Sequence, residues 1–171
     1  MKMQTLNDLY LTELHDLYDA ENQILKALPK MAESASSAEL RSAFQEHLDQ
    51  TRTHVARLEE IFTMHGEKIK GEKCAGIEGI LKEGKELMDE DAQPMVRDAA
   101  LIAAAQRVEH YEIAVYGCVR TYAQQLGFDR AANLLQTTLR EEEQTDKKLT
   151  GIAESRVNVE ATRTAGGTYR E

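Results

Sequence analysis

The chain has 171 residues, of which 42% are hydrophobic and 30% charged, with 2 Pro, 10 Gly and no Trp. This size allows one domain with a sizeable core, and the composition favours long amphipathic helices over a sheet protein rich in turns. The formal net charge of −9 argues against a nucleic-acid partner, and no apolar run approaches the ~20 residues that cross a bilayer.

The first predicted helix runs from about Thr5 to about Ser34. Its apolar residues follow the 3.6-residue period of an amphipathic helix: Leu6, Leu9, Leu14, Leu17, Ile24, Leu25, Leu28 and Met31. Thr5 and Asp8 have the spacing of a capping arrangement at its start. Pro29 lies inside the segment and is expected to kink it or to loosen its last turns.

The second helix is predicted to begin with a capping box formed by Ser36 and Glu39. It should end at Gly66, because glycine suits the left-handed conformation of a helix cap. The long connector that follows, residues 67–91, is predicted to contain a short helix over about residues 77–88. A loop of this length is uncommon in a compact bundle unless it crosses over.

The third long helix is predicted from about Pro94 to Gly127, and the fourth begins near Asp129. Two helical hairpins joined by one long crossover are the layout of ferritin-like bundles. The sequence therefore predicts an all-α fold, a ferritin-like four-helix bundle whose crossover contains a short fifth helix. The bundle is expected to occupy residues 1–156, and residues 157–171 are expected to be a disordered tail because they lack apolar periodicity.

Every long helix carries polar residues on the face that should be apolar. They are Glu21 in the first helix, Thr51 and His54 in the second, Glu109 and Glu112 in the third, and Glu142 and Asp146 in the fourth. Burying one unpaired carboxylate costs several kcal/mol. Several buried at one level need protons, cationic side chains or metal ions to compensate their charge.

A pair of divalent cations is the known solution in helical bundles, which supply one Glu from each of two helices and Glu-x-x-His from each of the other two. Oxygen-rich sites with some nitrogen suit iron or manganese. A simpler alternative stays open for each acid, which can lie at the edge of its stripe and reach solvent or form a structural ion pair. The remaining histidines have no matching partners and are interpreted as structural or exposed: His15, His47, His65 and His110.

Four stretches of the chain resemble the YciF/YciE family of bacterial stress proteins. They are ELHDLYDAE (13–21), KCAGIEGIL (73–81), VEHYEIA (108–114) and EEEQTDKKL (141–149). The resemblance covers about residues 3–156. It implies a ferritin-like fold related to rubrerythrin and bacterioferritin, a homodimer, a dinuclear metal site, and a link to general or osmotic stress without an assigned reaction.

The resemblance also implies a ligand set. Glu21 and Glu112 match the lone glutamates of ferritin-like helices, while His54 and Glu142 match one half each of the two Glu-x-x-His motifs. Glu109 is expected to complete or bridge this set.

Two positions depart from the ferritin-like pattern. Thr51 stands where the glutamate of the second helix is expected, and Thr145 stands where the histidine of the fourth is expected. Gln50 and Asp146 lie near enough to substitute for the missing ligands.

Two functions follow from these observations. The first is a stress protein that binds two iron or manganese ions, with or without a weak oxidase or peroxide-consuming activity. The second is a dimeric structural or interaction protein with a vestigial centre, whose inward acids are protonated or hydrogen-bonded. A Dps-like cage that coats DNA is disfavoured, because the charge is acidic and no Lys-rich arm precedes the first helix.

A soluble, cytoplasmic homodimer is expected, without nucleic-acid or membrane partners. Asp8, Glu13 and Asp16 in the first 20 residues are incompatible with a signal or transit peptide. Two cysteines are too few for a disulfide framework. Cys118 is expected to be packed in an apolar stretch, whereas Cys74 in the Gly-rich connector is left as a reactive thiol or a dimer contact.

Overall fold

A computed structural model describes residues 3–164, and this part of the chain is helical without strands. The helices are α1 (Leu6–Ser34), α2 (Ala38–His65), α3 (Ala75–Asp89), α4 (Pro94–Gln125), α5 (Asp129–Ile152), a π-helical turn (Ala153–Val157) and α6 (Asn158–Thr164). The four long predicted helices correspond to α1, α2, α4 and α5, and the predicted helix of the crossover is α3. None of the helices within residues 3–164 has the length and apolar character that crossing a bilayer requires.

The long helices form two hairpins. α1 packs on α2 and α4 packs on α5, while contacts of α1 with α4 and of α2 with α5 close the bundle. The crossover helix α3 lies against α4 and α1. The predicted ferritin-like four-helix bundle with a helix in its crossover is therefore confirmed.

The start of α1 follows the sequence prediction, whereas the start of α2 does not. Thr5 and Asp8 form the predicted reciprocal cap of α1. The cap of α2 is Ser37, not Ser36, and its hydroxyl accepts from the backbone N–H of Leu40 at 3.4 Å. The predicted box was wrong because a distant residue takes part: the Asp98 carboxylate accepts from the N–H groups of Ser36 and Ser37 at 2.8 and 2.7 Å.

Glycines end α2 and α4 as their sequence positions indicate. Gly66 has φ 66°, and its N–H bonds the carbonyl oxygen of Phe62, which closes the last turn of α2. Gly127 has φ 76° in the short link between α4 and α5. Both values lie in the left-handed region that side chains with a Cβ rarely adopt.

The end of the chain differs from the prediction. Residues 157–164, expected to be part of a disordered tail, are helical, and Val157 is fully buried. The π-helical turn adds a residue to the helical repeat and brings Val157 back to the core beside Ile152 and Ala153. The rest of the predicted tail, residues 165–171, lies outside the described part of the chain.

The two cysteines are also placed differently from the prediction. Cys118 is exposed, because Glu112, Tyr116 and Val119 define the inward face of α4 and turn Cys118 away from it. Cys74 is buried at the start of α3. Its thiol lies 3.0 Å from the hydroxyl of Tyr111, so it is a packed group of the crossover.

The apolar core is divided into two clusters along the bundle. One contains Ile24, Phe44 and Leu149, and the other contains Leu17 and Leu58. Each long helix passes from one cluster to the other. The residues between the clusters therefore lie at one depth, and in all four helices they include the polar residues that the sequence places on the apolar face.

Candidate metal centre

Six buried side chains form a polar layer between the two halves of the core. They are Glu21 on α1, His47 and His54 on α2, Glu109 and Glu112 on α4, and Glu142 on α5. None is more than 3% exposed. The four helices therefore direct carboxylates and imidazoles at one another in the interior, away from bulk water.

The ligand atoms of this layer fall into two groups. They are Glu21, His54 and Glu142 in site A, and His47, Glu109, Glu112 and Glu142 in site B. Within each group, one nitrogen or oxygen atom per residue lies within 4.8 Å of all the others. Glu142 belongs to both sites, so its two carboxylate oxygens are shared between the two groups of candidate ligand atoms.

Site A is arranged around the imidazole of His54. Its Nδ1 atom lies 2.8 Å from Oε1 of Glu142 and 3.5 Å from Oε1 of Glu21. The buried hydroxyl of Tyr116 donates a short hydrogen bond to Oε1 of Glu21. Burial and the neighbouring Glu21 raise the pKa of Tyr116 well above its usual value, so this hydroxyl keeps its proton and remains a donor.

The other ring nitrogen of His54, Nε2, contacts a partly exposed carboxylate. Nε2 of His54 donates to Oε2 of Glu141 at 2.9 Å. Arg57 donates from Nη2 to Oε1 of the same carboxylate at 3.0 Å and from Nη1 to the Thr138 hydroxyl at 3.1 Å. A carboxylate on the remote nitrogen orients a ligating imidazole and fixes its tautomer, which leaves Nδ1 of His54 directed at the layer.

Site B contains the least compensated carboxylates. Nε2 of His47 lies 3.3 Å from Oε1 of Glu109, and Nδ1 lies 4.0 Å from Oε2 of Glu142. Both oxygens of Glu112 are buried without a hydrogen-bond partner among the described residues. Such a group has to be neutralised by a proton or by a cation.

Unpartnered atoms are concentrated in the polar layer. Within residues 3–164, eleven buried side-chain nitrogen and oxygen atoms have no hydrogen-bond partner, and nine of them belong to the six residues of the layer. The close approaches of His47 and His54 to the glutamates of the layer lack hydrogen-bond geometry. Because buried polar groups in proteins are almost always paired, these atoms fit cation ligands better than a purely protein-internal network.

Protons neutralise carboxylates of the polar layer when no metal is bound. Burial, reinforced by the charge of Glu142, raises the pKa of Glu109 and of Glu112 well above the usual value for glutamate. Burial lowers the pKa of His47. The metal-free layer therefore holds protonated Glu109 and Glu112 beside a neutral His47.

His54 and Glu142 form a charged pair within the layer. Burial acts to lower the pKa of His54, but Glu142 and Glu21 outweigh it and raise that pKa to about 10. Burial likewise acts to raise the pKa of Glu142, but His54 outweighs it, and the pKa falls below the usual value. Metal binding here must displace the proton on Nδ1 of His54, because ligating imidazole is neutral.

Five of the seven ligands predicted from the sequence lie together in the layer: Glu21, His54, Glu109, Glu112 and Glu142. The other two, Gln50 and Asp146, lie outside sites A and B. Asp146 is partly exposed, accepts from Gln106 at 3.1 Å and lies 3.3 Å from Nε2 of His110. Gln50 accepts from the Thr145 hydroxyl at 3.5 Å.

His47 is the residue that the sequence analysis missed. It was interpreted as structural or exposed without partners, yet it is buried between Glu109 and Glu142. The available signal was its spacing, since it precedes His54 by seven residues, two helical turns on the same face of α2. Thr51 lies between the two histidines and only donates to the carbonyl oxygen of His47 at 2.9 Å.

The chain is similar to proteins of one family along nearly its whole length. The family described as "Domain of unknown function (DUF892)" matches residues 5–162. Protein YciF of Escherichia coli strain K12 is 45% identical over 162 residues, which cover 94% of this chain and 98% of that protein.

Solved structures agree with the fold. The crystal structure of the E. coli stress protein YciF matches with a TM-score of 0.88, covering 91% of this chain and 99% of that one. YcfI of Rhodopseudomonas palustris, described provisionally as a structural protein, is 44% identical with a TM-score of 0.85 over 87% and 95% of the two chains. A Xanthomonas campestris protein at 17% identity, with a TM-score of 0.71 over 94% and 99% of the two chains, shares the fold.

Proposed function

The chain belongs to the DUF892 family, and we propose that it is a ferritin-like protein that holds two divalent metal ions in sites A and B. The nine unpartnered buried atoms of the polar layer carry this proposal. Carboxylate oxygens with imidazole nitrogens suit iron or manganese. Because E. coli YciF is described as a stress protein, we propose that the chain acts in a stress response. We further propose that it is a cytoplasmic homodimer without nucleic-acid or membrane partners.

The charge of the layer matches two divalent ions. Four ionised glutamates carry four negative charges, which two divalent cations neutralise while both histidines stay uncharged. Glu21 and His54 would hold one ion, and His47, Glu109 and Glu112 would hold the other, with Glu142 available to both. Loading therefore exchanges the protons of the metal-free layer for cations, and metal affinity falls at acid pH.

The surrounding residues orient the side chains of the layer and bury them. Tyr116 fixes one oxygen of Glu21, and Glu141 fixes the far nitrogen of His54. The two apolar clusters close the layer from above and below. An iron or manganese pair supplies redox chemistry toward an oxidant when bound, and a weak oxidase or peroxide-consuming activity is the reaction class this layer would accommodate.

Metal content tests the proposal directly. We expect protein purified without added metal, then incubated with Mn²⁺ or Fe²⁺ and desalted, to retain two equivalents by elemental analysis. An anomalous-scattering map should show two peaks roughly 3.5–4 Å apart, the spacing of dinuclear sites, with Glu142 between them. Less than one equivalent of metal, together with no thermal stabilisation by either ion, would remove the proposal.

A second candidate is a structural or interaction protein whose layer is filled by protons alone. The provisional description of the R. palustris relative favours it, and so do threonines at positions 51 and 145, where ligands are expected. In that case Glu109 and Glu112 stay protonated and no cation displaces their protons. The same metal analysis separates the two candidates, and light scattering of the purified chain tests the proposed dimer.

A further inference from the structure

A cavity of about 190 Å³ lies in the seam between α2 and α5. Most of its lining side chains are polar: Glu46 and Gln50 from α2, and Gln144, Thr145 and Lys148 from α5. This seam is one of the two along which the hairpins meet, and both seams, α2–α5 and α1–α4, pack less extensively than the helices within each hairpin. A polar cavity of this size is large enough to hold several waters.

Two contacts close the cavity at different depths. At the surface, Nζ of Lys148 lies 2.5 Å from Oε2 of Glu46, and both side chains are exposed. Deeper, the partly buried hydroxyl of Thr145 donates a long hydrogen bond of 3.5 Å to Oε1 of Gln50. Surface ion pairs are worth little, and the inner hydrogen bond is at the limit of its range. Both closures are therefore easily opened.

The cavity lining comes within about one helical turn of the polar layer on both α2 and α5, although none of the six layer residues lines it. Gln50 lies three residues after His47 on α2, and the two residues are neighbours on the helix surface. Thr145 lies one turn beyond Glu142 on α5. The cavity thus lies about one helical turn from two residues of site B, His47 and Glu142.

The void on the opposite side of site B is much smaller and is mostly apolar. The void there, about 10 Å³, is lined by apolar residues of α1, α3 and α4 apart from His47 and Glu109 themselves. A hydrated divalent cation loses its waters only where oxygen ligands replace them, so an apolar passage opposes it. The seam between α2 and α5 provides a carboxylate, an amide oxygen and a hydroxyl in succession.

We propose that the α2–α5 cavity is the port through which divalent cations reach the polar layer, with the Glu46–Lys148 pair as its outer gate. This inference rests on the proposed function, because it requires ions to bind in sites A and B. Glu46 would bind a hydrated divalent ion once Lys148 moves away from it. Gln50 and Thr145 would then supply oxygen atoms in place of its waters, between the gate and the ligands His47 and Glu142. A threonine at position 145, where a histidine ligand was expected, leaves this passage open.

Rates of metal uptake test the gate. Co²⁺ serves as a spectroscopic stand-in for Fe²⁺ and Mn²⁺, with association followed by stopped-flow absorbance and release followed by transfer to a chelator. We expect Lys148→Gln to raise both rate constants by about two- to fivefold, the range that loss of a surface ion pair allows. Kd should stay unchanged, because a gate alters the barrier and not the bound state.

Arg130→Gln is the matched control for this variant. Arg130 also bridges α5 to α2, with Nη2 2.6 Å from Oε1 of Glu60, and its loss changes the net charge equally. It lies beside the link between α4 and α5, away from the cavity. Equal rate changes in Lys148→Gln and Arg130→Gln would show a general charge effect and overturn the port.

Filling the cavity gives an independent readout. Thr145→Leu should slow Co²⁺ association at least tenfold. Thr137→Leu is the control and should not slow it. Thr137 is an exposed threonine of α5, and its hydroxyl, like that of Thr145, donates to the carbonyl oxygen four residues earlier. Unchanged association in Thr145→Leu would refute the port while metal binding stands. If the unsubstituted protein binds no Co²⁺, Mn²⁺ or Fe²⁺, the proposed function itself fails and the port with it.

Discussion

The substitution Glu112→Gln distinguishes the effect of a buried carboxyl group on the stability of the metal-free protein from its contribution to metal binding. Glu112 is fully buried, neither of its oxygens has a hydrogen-bond partner among the described residues, and burial raises its pKa well above the usual value. In the metal-free protein the substitution replaces a protonated acid with an uncharged amide of similar shape. We therefore expect the metal-free variant to melt at or above the temperature of the unsubstituted protein at pH 7.5.

The metal-loaded state should respond in the opposite direction. An ion present at 100 times its Kd stabilises the native state by about 2.7 kcal/mol, which raises Tm by about 5–11 °C for a chain of this size. If loss of the Glu112 ligand weakens binding 100-fold, the same ion concentration equals Kd. The remaining stabilisation is then about 0.4 kcal/mol, or about 1 °C in Tm.

Thermal melting with and without Mn²⁺ at pH 7.5 measures both effects in one experiment. Glu143→Gln is the control, because Glu143 is an exposed neighbour of Glu142 outside the layer, and it should retain the full metal-induced shift. Should Glu112→Gln keep that shift as well, Glu112 is not a ligand and the assignment of site B is wrong. A metal-free variant that melts far lower would instead show that the carboxylate stabilises the apoprotein.

Three further predictions concern stability and affinity. The pKa values of Glu109 and Glu112 are raised, so the native state retains protons that the unfolded state releases above about pH 4.5. The free energy of unfolding of the metal-free protein should therefore fall from pH 5 to pH 8. Denaturant titrations that show a rise over this range would contradict this prediction. Glu141→Gln should weaken Mn²⁺ binding by about 10–100-fold, because the carboxylate that orients the imidazole of His54 is lost. Calorimetry measures this change, with Glu143→Gln as the control. Asp98→Ala should destabilise the chain by about 2–4 kcal/mol in urea, because two backbone N–H groups at the start of α2 lose a charged acceptor.

Helical periodicity explains why so much of the polar layer was predictable. A helix interior repeats every 3.6 residues regardless of its surroundings, so Glu21, Glu112 and Glu142 could be placed on inward faces from sequence alone. Their common depth also followed, because each lies near the middle of a long helix. The local pattern therefore predicted which groups point inward and at which level they lie.

Contacts between distant segments were not predictable in this way. Asp98 caps α2 from α4, more than 60 residues away in the chain, so the local Ser36 signal was misleading. His47 had the right register but no partner within its own helix, and its partners come from α4 and α5. Asp146 showed the converse, since its register was close to that of Glu142 but its side chain turns toward Gln106 and His110.

The threonines at positions 51 and 145 do not leave the layer short of donors. The ferritin-like pattern supplies four carboxylates and two imidazoles from four helices, and here Thr51 and Thr145 remove one of each. Glu109 supplies the missing carboxylate from α4, three residues before Glu112. His47 supplies the missing imidazole from α2, two turns before His54. The charge of these six donors would again balance that of two bound divalent ions, with both imidazoles neutral. A layer kept only as a packing element would have no physical reason to retain that balance, because apolar side chains of similar volume would remove its desolvation cost.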